Sequence, residues 1–92
     1  MEATSKILNY IGHDPKQNWY VGIATDPRSR LFHDHNVSET QGHWIYIPVG
    51  SEQAARAIEK YLLTSFPFRG GTGGGINPRY VYAYRMTWST VQ

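Results

Sequence analysis

Residues 19 to 31, from Trp19 to Leu31, pass from strand chemistry to helix chemistry with no linker between the two. That leaves few ways to fold them. Trp19, Tyr20, Val21 and Ile23 suit a pleated, half-buried surface. Asp26 can cap free backbone N–H groups, and Pro27 fits a first helical position, where its missing N–H would have had no partner. Gly22 lies just before the turn, where a missing side chain lets another group or a phosphate approach the backbone. Arg28 and Arg30 follow on the first helical turn. A phenol, bare backbone and two cations thus fall close together, a set suited to binding or cleaving an anion.

Composition narrows the classes. A chain of 92 residues reads as a single domain, 1–92, with one modest core. Cysteine is absent, which excludes disulfides, thiolate metal sites and thiol nucleophiles. No signal peptide and no membrane span are expected, because no apolar run has the needed length. A cytoplasmic or nucleoid-associated location follows as the expectation. The net charge is +2, yet Lys60, Arg69, Arg79 and Arg85 follow residue 59 with no acid among them. Seven tyrosines exceed what a small core needs, since each hydroxyl wants a partner, so some should line a binding surface.

The remaining elements are read around that stretch. Ile7, Leu8, Tyr10 and Ile11 suggest a first strand over Lys6–Ile11, joined through the turn formers of Gly12–Asn18 to a second over Trp19–Ala24. That hairpin would bring Tyr10 and Tyr20 together. A short helix is predicted from Pro27 to His35, and a third strand over Trp44–Val49. Ser51 is a good N-cap for a long helix, Glu52–Ser65, with Ala54, Ala55, Ile58 and Leu62 on its buried stripe and Glu59 at the border. A glycine-rich loop, 70–75, precedes a last strand over 80–86. There Tyr80, Tyr82 and Tyr84 share one face, which could either look outward or be covered. The fold class is α+β: a small, mainly antiparallel sheet of three or four strands flanked by helices.

This order resembles the GIY-YIG nuclease superfamily, whose two namesake tripeptides lie on adjacent strands. Tyr20-Val21-Gly22 matches the second, and Leu8-Asn9-Tyr10 stands in the first position, sharing its tyrosine. Arg30 follows Gly22 at the family's spacing. Glu59 occupies the place of the metal-binding glutamate, and Asn77 that of an asparagine beyond the helix. Asp34 stands where a histidine or tyrosine is usual, and a one-residue shift would bring in His35 instead. The resemblance implies a metal-dependent endonuclease. Tyr20 or Tyr10 would position or deprotonate a water, and Arg30 would hold a phosphate oxygen. Glu59 would carry Mg²⁺ or Mn²⁺, His35 would move a proton, and Asn77 would fix a water or phosphate. The partner would be nucleic acid, DNA in particular, with no membrane. A homodimer or larger host complex would supply target choice. Two alternatives remain from the residues alone: a nucleic-acid-binding module without catalysis, and a protein-interaction domain.

Overall fold

A computed structural model describes residues 2–71 and 75–92. Helix α1 (Glu2–Ile11) leads, through one 3₁₀ turn at Lys16–Asn18, into strand β1 (Trp19–Ala24). A π-helix (Ser29–Asp34), strand β2 (Trp44–Pro48), helix α2 (Glu52–Ser65) and strand β3 (Tyr80–Arg85) follow. The sheet has three strands in the order β1-β3-β2, antiparallel throughout. The α+β class with a three-stranded antiparallel sheet flanked by helices is therefore as expected. Thr72, Gly73 and Gly74 of the expected glycine loop lie outside the described residues.

The first expected strand is instead a helix. Thr4, Ile7 and Ile11 are its buried residues, and their spacing is helical rather than alternate. Lys6 and Glu2 pair across one turn at 3.3 Å. Gly12 ends the helix at φ +63°, with its N–H donating to Leu8 O at 3.0 Å, a left-handed cap that favours glycine. No hairpin joins this segment to β1, and Tyr10 does not meet Tyr20.

β1 is buried on both faces. Trp19, Val21 and Ile23 join Ile7, Ile58, Leu62, Val81 and Ala83 in the core beneath α1 and α2. Tyr20 and Ala24 face the other way, with Leu31, Val37, Tyr82 and Tyr84. This settles the question of the tyrosine face of β3: it is the covered one, roofed by the π-helix. Helix α2 forms as the sequence indicates, capped by Ser51 Oγ, which accepts from Ala54 N at 3.1 Å. A short parallel bridge lays Arg69 beside Tyr20, with Arg69 N donating to Trp19 O and Val21 N to Arg69 O, each at 2.9 Å. The chain leaving α2 thus covers the outer edge of β1.

The opposite edge, β2, is closed differently. Tyr10 Oη accepts the outward N–H of Trp44 at 3.1 Å, and Pro48 has no N–H to offer. Both blunt an edge that would otherwise invite a foreign strand.

Candidate functional site

The site is built on the sheet face beneath the π-helix. Tyr20, Gly22 and Ala24 of β1 lie opposite Tyr84, Tyr82 and Tyr80 of β3. Gly22 is where backbone must be bare. A Cβ there would sit 2.5 Å from Tyr82 Oη and 2.6 Å from Tyr82 Cζ. The phenol of Tyr82 lies directly over this glycine, and the ring is 1% exposed.

His35 anchors that phenol. Within the π-helix the His35 N–H donates to Arg30 O at 2.9 Å, five residues back. The extra residue in the turn leaves Asp34 exposed and swings His35 inward to 3% exposure. His35 Nδ1 lies 2.6 Å from Val91 O, which accepts only, so Nδ1 carries the hydrogen. Nε2 is then the acceptor for the Tyr82 hydroxyl at 2.7 Å. Tyr84 donates to the same Val91 carbonyl at 3.2 Å. Burial lowers the His35 pKa below its ordinary value of 6.5 and keeps the ring neutral. Burial raises Tyr82 to about 12, against the pull of the Arg30 guanidinium that faces its hydroxyl. With its proton given to His35, Tyr82 offers Arg30 a lone pair.

Tyr20 is the meeting point. Its ring stacks beside Tyr84 at 5.2 Å and lies 4.7 Å from the His35 ring. The Gly71 N–H faces its oxygen, and a Cβ on Gly71 would come within 2.7 Å of that oxygen. Burial pushes the Tyr20 phenol above its ordinary value of 10. Arg30 and Gly71 pull it down, Glu59 pushes it further up, and the net is upward. Arg30 favours the phenolate, but burial outweighs it.

Two charged groups, Arg30 and Glu59, act on Tyr20. Arg30 Nε is buried and has no hydrogen-bond partner among the described residues. Its Nη1 reaches Asp34 at 3.4 Å on the exposed side. Glu59, half-buried on α2, has its carboxyl pKa raised by burial, which the charge of Arg56 opposes without cancelling. Arg56 bonds Glu52 at 2.7 Å through Nε. Among the described residues no cluster of three or more His, Asp or Glu side chains could hold a metal ion. Glu59 is nonetheless a half-buried hard oxygen donor. Such a group fits one ligand position of a hard divalent cation that takes its other oxygens from water and phosphate.

Protein-family models, characterised proteins and solved structures were all compared with the chain, and it matches none of them. The site therefore rests on its geometry.

Of the residues singled out in the sequence, Tyr20, Arg30, His35 and Glu59 come together around β1. Tyr10 does not. It sits on α1 with its hydroxyl tied to the edge of β2, its ring 5.9 Å from Trp19 on the other side of the sheet. Asn77 is exposed and adopts φ +54° just before Pro78, the conformation of a turn former. Arg28 pairs with Glu39 and lies 5.0 Å above the Phe32 ring. His13, His33 and His43 are exposed. Tyr82 is the residue that sequence reasoning passed over. Alternation placed it on a face with Tyr80 and Tyr84, but its pairing with Gly22 depends on a register that alternation does not reveal.

Proposed function

We propose that this chain hydrolyses phosphodiester bonds in nucleic acid, DNA in particular, as a GIY-YIG-like endonuclease using one divalent cation, Mg²⁺ or Mn²⁺. The observation that carries the reading is the convergence on the Tyr20 hydroxyl of the Arg30 guanidinium, the Gly71 N–H and the half-buried Glu59 carboxylate. A phosphodiester with its cation would complement both charges. In the site, the solvent-facing side of the Arg30 guanidinium, which borders the surface depression, donates to a non-bridging oxygen where negative charge gathers in the transition state. The Tyr20 hydroxyl, with Gly71 N–H at its oxygen, orients the attacking water. A cation held by Glu59 would supply Lewis acidity to the phosphate. Tyr82 and His35 are positioning residues that hold the guanidinium. The resemblance expects a second tyrosine on the strand beside β1. That strand is β3, and its Tyr82, buried and bonded to His35, would serve here to hold Arg30 rather than to position a water.

The test is a nuclease assay on supercoiled, linear, branched and single-stranded DNA and on RNA, in Mg²⁺, Mn²⁺ and EDTA, with Glu59→Gln alongside. The expected result is cleavage that vanishes in EDTA and in the folded variant. The raised Tyr20 pKa and the sealed His35 ring favour a second reading, a nucleic-acid-binding module without catalysis. Salt-sensitive binding by both proteins, with no product from either, would establish it in place of the first.

A further inference from the structure

Two depressions open on the surface beside the π-helix, and they share a wall. The smaller, about 150 Å³, is lined by Thr25, Asp26, Ser29, Arg30 and Gly75. The larger, about 310 Å³, is lined by Thr25, Asp26, Pro27, Arg28, Tyr46 and Tyr80. Thr25 and Asp26 form the ridge between them. Arg30 borders one and Arg28 the other, so two arginines separated by a single residue serve adjoining spaces.

The walls of the larger space are aromatic. Tyr46 and Tyr80 are only half-buried, and their rings meet at 6.0 Å and 73°, one presenting a face where the other presents an edge. Trp44 stacks on Tyr46 at 5.8 Å and 8°, which fixes the orientation of the Tyr46 ring from behind. Arg28 is held in place by Glu39, by the Tyr46 hydroxyl and by the Phe32 ring. These rings continue the covered tyrosine face of the sheet out to solvent, past the end of the π-helix. A space of this size, with fixed aromatic walls and a few polar groups, takes a small planar ring system. With Arg28 paired to Glu39 and Asp26 beside it, the groups around the space carry a formal charge of −1, so stacking rather than charge attraction would hold a base there.

We infer that the depression walled by Tyr46 and Tyr80 is a subsite for one unpaired base of a nucleic-acid strand whose phosphate lies at Arg30. This rests on the nucleic-acid reading above and deepens it. A base inside a duplex is already stacked and cannot enter, so the favoured substrate carries an unpaired nucleotide next to the phosphate that is cut. Backbone held by charge and a base held by stacking are the two halves of single-strand recognition.

The experiment uses the full chain and paired DNA duplexes, one blunt and one with a short single-stranded overhang. 2-Aminopurine is placed either in the overhang or in the duplex, with Ca²⁺ present to slow cleavage. The expected result is preferential binding of the overhang duplex, with fluorescence quenched when the probe base is in the overhang. Tyr46→Leu should lose the quenching and roughly tenfold in affinity for the overhang duplex, while blunt-duplex affinity stays unchanged. Tyr46→Phe, which keeps the ring, should behave as wild type and so guards against a folding artefact. Equal affinity for both duplexes without quenching would overturn the inference. So would competition by free adenosine monophosphate without any overhang preference, which would assign the space to a mononucleotide. Quenching without cleavage under Mg²⁺ or Mn²⁺ would retain the subsite and remove the nuclease reading. Cleavage of both duplexes alike without quenching would do the reverse. No binding of any DNA would overturn both.

Discussion

Gly22→Ala is the sharpest perturbation of the site that leaves every charged group in place. The added Cβ would lie 2.5, 2.6 and 2.9 Å from three atoms of the Tyr82 ring, and this ring is fully buried. Overpacking of this kind costs about 1–3 kcal/mol. If the ring yields, its hydroxyl leaves His35 Nε2, and stranding two buried polar groups adds roughly 1–3 kcal/mol. Stiffening the unfolded chain returns about 0.5–1 kcal/mol. The net loss should be about 2–4 kcal/mol, with the melting temperature falling by roughly 10–25 °C for a chain of this size. Urea unfolding followed by tryptophan fluorescence measures the first figure. A second background isolates the cause. In Tyr82→Leu the ring is gone, and Gly22→Ala should then cost less than about 1 kcal/mol, a coupling that independent sites do not show. Tyr82→Phe should not relieve the clash, because ring carbons remain at 2.6 and 2.9 Å. If Gly22→Ala costs the same in both backgrounds, the contact between this glycine and Tyr82 is not what the substitution disturbs, and the reasoning fails.

The two other predictions concern His35 and Tyr10. Burial depresses the folded-state pKa of His35 below 6.5. Its contribution to stability is therefore complete above that value and fades as pH falls below it. Wild type should lose stability as pH falls below 6.5, and His35→Gln, compared by thermal melts over falling pH, should show a shallower decline. Tyr10→Phe removes the acceptor for the Trp44 N–H, and should cost about 0.5–1.5 kcal/mol without changing cleavage. A large loss of activity in a folded Tyr10→Phe protein would restore Tyr10 to the site.

Elements with unambiguous local signals were legible in the sequence. Ser51 and the Ala55, Ile58, Leu62 spacing mark α2, and the β-branched and aromatic run of Trp19 to Ala24 marks β1. The segment around Ile7 was not, because a short apolar run satisfies either period until Thr4 and the cap at Gly12 are weighed with it. At the site, Tyr20, Arg30 and Glu59 are named through the resemblance, and local pattern locates the elements that carry them. His35 is named through a one-residue shift, but its buried place against Tyr82 depends on the π-turn, which the sequence does not announce. Tyr82 needed the register between strands separated by most of the chain, which is a tertiary fact.

The strand order has a consequence for how this protein assembles. The centre of the sheet, β3, is the last element in sequence, and both outer strands pair with it rather than with each other. Until it inserts, β1 and β2 have no common partner, and forming the sheet means closing loops that span much of the chain. Folding should be slow for so small a protein, with a late, steep gain in order. On the ribosome, β1 and β2 would emerge well before the strand that joins them, and Tyr20 would remain without the Tyr82–His35 pair until then. The site would therefore form only once β3 has joined the sheet.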